Sequence, residues 1–177
     1  MQYLPERGSM ITLPEPPRLA SPTTAVRVSY LTGEQADCRL RGIDTDWLGP
    51  ASEDFERHVA ERRSVALRWG VPSSIRWYVA GEHYLGTLVI RHRLTEDLLV
   101  AGGHIGFHVV APWAGQGHAT RMLAAGITEA RRLGIARVLL TCRPDNERSR
   151  RVILGNGGRQ DRTLGGELRF WIEGSQT

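Results

Sequence analysis

The run Ala114-Gly115-Gln116-Gly117-His118-Ala119-Thr120 decides how this chain folds and what it binds. A strand-like segment over residues 104–110 leads into the run, and a helix-like segment over residues 120–127 follows it without a break. Glycines in such a tight turn let the backbone approach a ligand closely, and the free N–H groups of the first helical turn point at an anion. The run therefore predicts a cradle for a phosphate group.

The spacing of this glycine turn differs from two common phosphate loops. It lacks the Gly-Lys-Ser/Thr end of a P-loop, and the last glycine of the dinucleotide pattern G-x-G-x-x-G/A falls on Thr120. By itself the turn leaves two interpretations open, which are phosphate binding and a role in packing alone.

Length and composition are those of one ordinary globular domain. The chain has 177 residues, of which 41% are hydrophobic and 24% charged. A chain of this length buries roughly 70% of the surface that it exposes when unfolded. Residues 1–25 are rich in proline, so we expect a disordered tail there and one folded domain over residues 26–177.

The sequence argues against several classes of protein. No apolar run approaches the roughly 20 residues that a membrane span needs, and residues 1–25 lack the apolar core of a signal peptide. Cys38 and Cys142 are too few for a disulfide framework and lack the spacing of metal ligands. We therefore expect a protein of the reducing cytoplasm, without a metal and without a membrane contact.

The charge pattern points to a small anionic ligand. All 23 basic residues are arginine, they are spread along the chain, and the formal net charge is +4. A nucleic-acid surface would show clustered basic residues with aromatic residues between them. We expect no nucleic-acid partner.

Strand-like and helix-like segments alternate along the chain, which is typical of an α/β fold. The alternation of Val26, Val28 and Tyr30 predicts a first strand, and a helix is predicted from Ser52 to Trp69. Residues 96–103 have the composition of a loop. The other predicted elements are a hairpin over residues 76–94, strands over 104–110, 135–142 and 168–172, and helices over 118–133 and 147–154.

Three segments follow one another along the chain: the strand 104–110, the glycine loop, and the block from Asn146-Glu147-Arg148-Ser149 to Asn156-Gly157-Gly158. Together they resemble the GNAT superfamily of acetyl-CoA-dependent N-acetyltransferases, whose motifs occur in this order. The loop matches the family pattern Arg/Gln-x-x-Gly-x-Gly/Ala from its fourth position onward. The resemblance, which is especially to a branch of bacterial acetyltransferases, covers about residues 84–158. It implies an α/β fold with a mixed, mostly antiparallel central sheet flanked by about four helices.

The resemblance also implies how acetyl-CoA is held. Backbone N–H groups of the loop would bind the pyrophosphate, and the backbone of Val109 would pair with the pantetheine arm. The Asn146 side chain would contact the same arm, and its alternative role is to cap the helix that follows Pro144-Asp145. Ala114 stands where relatives carry Arg or Gln, so that one side-chain contact is lost. The cofactor-binding residues implied are Val109, Ala114, Gly115, Gln116, Gly117, His118, Ala119, Thr120, Asn146 and Ser149.

His104 is the candidate catalytic residue. It occupies the position, five residues before the strand valine, where many relatives have a glutamate that acts as general base, and an imidazole is suited to that task. The alternative is that His104 only hydrogen-bonds the neighbouring hairpin. Relatives place a proton-donating tyrosine seven residues after the asparagine, but Ile153 occupies that position and cannot donate.

The acceptor is not indicated beyond a primary amine. Asp44, Asp46 and Glu53 suit a cationic amine, and Trp47 and Trp77 are candidates for an apolar wall. We expect an N-acetyltransferase in which the amine attacks acetyl-CoA directly in a ternary complex. A module that binds acyl-CoA without turnover and an enzyme using a longer acyl-CoA remain open, as does the oligomeric state, with a homodimer among the possibilities.

Overall fold

The computed structural model describes residues 12–174, which form eight strands and six α-helices. None of the helices in this range is both long and apolar enough to cross a membrane. In chain order the elements are β1 (Arg18–Ala20), α1 (Arg27–Arg41), α2 (Gly49–Glu53), α3 (Phe55–Arg63), β2 (Ala66–Arg68), β3 (Val71–Ala80), β4 (His83–Arg91), α4 (Glu96–Val100), β5 (Ile105–Val109), α5 (His118–Arg132), β6 (Arg137–Cys142), α6 (Glu147–Gly155), β7 (Arg159–Leu164) and β8 (Glu167–Glu173).

The strands form two antiparallel sheets. The larger has the order β1-β3-β4-β5, with β2 also paired to β3, and the smaller has the order β6-β8-β7. The predicted α/β fold with mostly antiparallel strands is confirmed. The sheet is nevertheless in two parts. The described residues form six α-helices where about four were expected, because α1 replaces a predicted strand and α4 replaces a predicted loop.

The two sheets meet at the start of β5. The His104 N–H donates to the Leu139 carbonyl at 2.8 Å, and the Leu139 N–H donates to His104 Nδ1 at 3.0 Å. Gly103 has φ +61°, and a Cβ there would overlap the Leu139 carbonyl oxygen. Glycine is therefore required for the backbone of β6 to approach this closely.

The larger sheet is covered on both faces. On one face Tyr30 of α1 stacks on Trp77 of β3, with ring centroids 4.8 Å apart. On the other face Leu88 of β4 packs against Gly126 of α5, where a Cβ would overlap the leucine side chain. Arg76 of β3 also binds Glu129 of α5 at 2.6 Å. The glycine loop at the start of α5 is thereby fixed relative to β5.

The predicted first strand is wrong, because residues 27–41 form helix α1. Val28 is 75% exposed, whereas Val26 and Tyr30 are buried. The helix buries a face that includes the polar residues Glu34 and Asp37. A helix that buries acids and exposes a valine has little helical periodicity in its apolar residues, so the short alternation looked like a strand.

Helix boundaries also differ between residues 52 and 103. Asp54, and not Ser52, caps α3 by accepting the Arg57 N–H, and residues 66–68 form β2. Residues 96–100 form α4 in the predicted loop, since the Thr95 hydroxyl oxygen accepts the Leu98 N–H.

The predicted tail is corrected for the part of it that packs on the domain. Within residues 1–25, β1 pairs with β3 and places Leu19 opposite Tyr78. Glu15 accepts the Gly81 N–H at 2.9 Å. The prolines of this segment led to the prediction of a disordered tail. Prolines are, however, tolerated beside the edge strand of a sheet. Residues 1–11 lie outside the described range.

We predict that Gly103→Ala destabilises the protein more than Gly134→Ala. Both glycines have positive φ, but only Gly103 faces a backbone atom, and Gly134 has open space around it. The clash is expected to cost about 1–3 kcal/mol beyond the shared conformational penalty. Urea denaturation of both variants measures this difference, and equal losses would show that the junction relaxes without cost.

A second prediction concerns the charge of His104. Burial lowers the pKa of His104 from 6.5 to about 4, and nearby Arg91 adds to the effect. Below pH 6.5 His104 binds a proton in the unfolded chain, but in the folded chain it does so only near pH 4. The free energy of unfolding therefore falls as the pH falls from 6.5 to about 4. Between pH 7 and pH 5 the loss is expected to be about 2 kcal/mol.

Urea denaturation at pH 7 and pH 5 tests this effect with His104→Gln, because the glutamine oxygen can still accept the Leu139 N–H. The wild type should lose more stability than the variant over this range. Parallel losses in both proteins would contradict the assignment of a neutral buried imidazole.

Candidate functional site

The glycine loop forms an open cradle at the start of α5. Gly115 and Gly117 have φ +80° and +76°, conformations that favour glycine, and no atom lies within 4 Å of a Cβ placed at Gly115. Gly117 is the N-cap of α5, and no side chain caps the helix. The first N–H groups of a 15-residue helix therefore lack a side-chain acceptor.

Arg121 adds a cation that the sequence analysis missed. Its Nη2 donates to the Gln116 carbonyl at 3.1 Å and lies 3.2 Å from His118 Nδ1. A Cβ at Gly117 would lie 3.1 Å from Arg121 Nη1. Arg121 follows His118 by three residues, about one helical turn, so the two side chains are neighbours on the helix surface. This spacing is the one feature of the sequence that could have predicted a guanidinium beside the loop.

His118 supports the loop by packing. Its side chain is buried, with ring centroids 6.0 Å from Trp113 and 6.1 Å from Tyr78. Burial lowers the pKa of His118, and Arg121 lowers it further, so the imidazole is neutral near pH 7. The predicted contribution of His118 to the cradle is therefore that of its backbone N–H.

The free edge of β5 lies beside this loop. Just beyond the two ends of β5, the Val110 N–H donates to the Leu85 carbonyl and the Arg91 N–H donates to the His104 carbonyl. The register between these two bonds is regular, so the even-numbered residues of β5 are the ones that hydrogen-bond to β4. In an antiparallel pair the alternate residues direct their N–H and C=O groups away from the partner. Phe107 and Val109 therefore present backbone groups to the side of β6, where β5 pairs with no strand of the described residues.

The α6 residues occupy two ends of one helix. Asn146 caps α6 by accepting the Ser149 N–H at 3.1 Å, so its predicted alternative role as a cap is seen. At the other end Asn156 donates to the Thr120 carbonyl at 3.2 Å. Asn146 and the Thr120 contact are therefore at opposite ends of this nine-residue helix. Ile153, where relatives carry a tyrosine, is fully buried.

The arrangement around His104 argues against the predicted base. Nδ1 accepts the Leu139 N–H, so the proton of the neutral ring is on Nε2 and no lone pair is free to take another. The structural alternative fits better, although the bond is to β6 and not to the hairpin. The histidine replaces a backbone acceptor where the two sheets meet.

The predicted acceptor residues are not brought together as one wall. Trp77 is 1% exposed and belongs to the core, which corrects the prediction that it lines a cleft. Trp47 is exposed, and Asp44 accepts the Asp46 N–H within its own loop. Glu53 lines a shallow surface cleft together with Pro50, Asp54, Arg57, His58 and Glu61.

Solved structures of acetyltransferases share this fold. Mycobacterium smegmatis RimJ in complex with CoA-disulfide is 21% identical with TM-score 0.63, covering 90% of this chain and 86% of that one. RimL, a ribosomal L7/L12 alpha-N-protein acetyltransferase in complex with coenzyme A, is 21% identical with TM-score 0.60, covering 89% and 93%. PaiA N-acetyltransferase from Thermoplasma acidophilum, in complex with coenzyme A, is 9% identical with TM-score 0.59, covering 90% and 99%.

A sequence search of curated proteins finds no match. The family model of the acetyltransferase (GNAT) domain matches residues 35–159, which is most of the chain. The matched range includes β5, the glycine loop and α6, whose order suggested the family. The chain belongs to the GNAT acetyltransferase family.

Proposed function

We propose that this protein transfers the acetyl group of acetyl-CoA to a primary amine by direct attack in a ternary complex. The observation that carries the proposal is the uncapped start of α5 beside the free edge of β5. Family membership and the fold shared with coenzyme A complexes support it.

The residues at the cradle fit coenzyme A. Pyrophosphate needs close backbone N–H groups and positive charge, and the start of α5 with Gly115, Gly117 and Arg121 offers both. The exposed Thr120 adds a hydroxyl donor. The pantetheine arm contains amides, which suit the unpaired N–H and C=O groups of Val109. A Cβ at Gly115 or Gly117 would strain the turn that makes this possible.

The protein has three tasks in the reaction. The loop neutralises the phosphate charge, the edge of β5 aligns the arm, and the aligned donor meets the amine at close range. Acetyl-CoA supplies an activated thioester. Ile153 is buried and cannot protonate the departing sulfur, but a thiol with a pKa near 8.5 is a tolerable leaving group.

An acyl-CoA-binding module without turnover is the second candidate. Two observations favour it, which are the engaged nitrogen of His104 and the isoleucine in place of a proton donor. The backbone cradle would serve binding equally well in either case. Only turnover distinguishes the two functions.

The proposal extends to the acceptor and to the cellular setting. RimL acts on the alpha-amine of a ribosomal protein, and we include a protein N-terminus among the primary amines that this chain acetylates. The buried free thiols of Cys38 and Cys142 fit a reducing cytoplasm, where we place the protein. A homodimer is compatible with this setting.

Isothermal titration with acetyl-CoA, CoA and propionyl-CoA tests the donor. We expect binding with a preference for the acetyl group, followed by thiol release when an amine is added. A preference for propionyl-CoA would indicate a longer acyl donor, and binding without thiol release for any amine would favour the module. Absence of binding to all three would overturn the proposed function.

We further predict that Gly117→Val weakens acetyl-CoA binding at least tenfold. The new side chain strains a positive-φ position and displaces Arg121 from the loop. Gly134→Val is the matched control, since Gly134 follows the other end of α5 with φ +84° and open surroundings. Titration should show an unchanged Kd for the control. An unchanged Kd in Gly117→Val would place the ligand elsewhere, and equal losses in both variants would show that the loss does not come from the loop.

A further inference from the structure

Helix α1 carries two buried acids against the larger sheet. Glu34 is 7% and Asp37 is 6% exposed. Buried carboxylates are costly unless they are paired, so each must have a partner. The helix approaches the end of β5 closely at Gly33, where a Cβ would lie only 3.1 Å from Val110 Cγ2.

Glu34 is paired with Tyr84, and the pair is shielded from solvent. The Tyr84 hydroxyl donates to Glu34 Oε1 at 2.7 Å, and burial raises the pKa of Glu34. Tyr84 is itself 1% exposed. This pair is therefore enclosed between α1 and β4, and it serves as a fixed support for the next turn of the helix.

Asp37 instead faces His108 on β5. His108 Nε2 lies 3.3 Å from Asp37 Oδ2, and Arg41 Nη1 lies 3.2 Å from the same oxygen. Nε2 is buried, but the His108 side chain as a whole is 32% exposed. The exposed fraction therefore belongs to side-chain atoms other than Nε2. The charged groups of α1 near His108 are Asp37, Arg41 on the same Asp37 oxygen, and Glu34, whose pKa the charge of His108 lowers.

The position of His108 distinguishes it from His104. It is adjacent to Val109, whose backbone groups lie on the free edge of β5. Its Nε2 lies 3.3 Å from a carboxylate oxygen, a charge contact without hydrogen-bond geometry, whereas the Nδ1 lone pair of His104 is used by the Leu139 N–H. A carboxylate at one ring nitrogen orients an imidazole and leaves the other nitrogen to exchange protons.

We propose that His108, oriented by Asp37, is the general base that deprotonates the acceptor amine. This inference rests on the proposed function, because it assigns a base to that reaction. Asp37 is a positioning residue in it. Arg41 binds the same carboxylate oxygen and limits its movement.

The step balances without a further reactant. The ring nitrogen of His108 that does not face Asp37 takes one proton from the ammonium group of the acceptor. The freed amine nitrogen forms the C–N bond of the amide while the C–S bond of the thioester breaks. The second proton lost by the nitrogen passes to the thiolate, and His108 returns its proton to solvent.

Turnover of His108→Gln tests the proposal. Thiol release from acetyl-CoA is measured with a short peptide that has a free N-terminus, with spermidine and with phenylethylamine. We expect kcat to fall about 100-fold or more, the usual contribution of a general base, with the Kd of acetyl-CoA unchanged. The kcat of the variant should rise about tenfold per pH unit below the pKa of the amine, because only the neutral amine attacks. The kcat of the wild type should rise less steeply with pH, because His108 deprotonates the bound ammonium group.

His92→Gln is the control, because His92 bonds to Ser74 on the neighbouring strand and not to this cluster. Its turnover and pH profile should match the wild type. Asp37→Asn should lower kcat about tenfold, and Asp37→Glu should recover part of the loss.

Each failure has a distinct signature. Wild-type kcat and pH dependence in His108→Gln, with acetyl-CoA still bound and turned over, would overturn the base and leave the proposed function intact. Loss of acetyl-CoA binding in that variant would also overturn it, by assigning His108 to the donor site. A wild type that binds no acetyl-CoA, or releases no thiol with any of the amines, would overturn the proposed function and this inference with it.

Discussion

The contact between Gly103-His104 and Leu139 is the constraint on which the rest of the site depends. It joins the two sheets through one backbone bond and one imidazole bond, so that β5 and β6 are held together where β5 begins. Along the remainder of β5 the strand pairs with β4 alone among the described residues. An edge that would otherwise be satisfied by a neighbouring strand keeps the backbone groups of Val109 available, and unpaired strand edges bind extended ligands.

The position of α5 determines where positive charge lies at the other end of β5. The helix is fixed against the sheet by Leu88, which packs into the space at Gly126, and by the ion pair between Arg76 and Glu129. Its uncapped start therefore projects beside the free strand edge, and Arg121 adds a full charge to the partial charge of the helix. The two features are adjacent, which is the arrangement that a ligand with an anionic nucleotide and an extended arm requires.

Helix α1 shows why the prediction from sequence failed for one element that packs on the larger sheet. Its buried face includes Glu34 and Asp37, so its apolar residues do not recur with a helical period. The acids become interpretable only when Tyr84 and His108, on strands about 50 and 70 residues later, are placed opposite them. For His104 the residue type and its place before the valine predicted a base, but the Leu139 N–H that occupies its nitrogen comes from another sheet.

The sequence by itself determined the family, the α/β class, the strand before the glycine loop, helix α5 and the cap at Asn146, because these depend on local turn chemistry and periodicity. Only the tertiary structure decided that Arg121 lies over the loop, that Trp77 is core and that β1 belongs to the fold. The same holds for the different surroundings of two histidines four residues apart, His104 beside Leu139 and His108 beside Asp37. Protonation and hydrogen bonding depend on which groups the fold brings within about 3 Å, and those groups are distant in the chain.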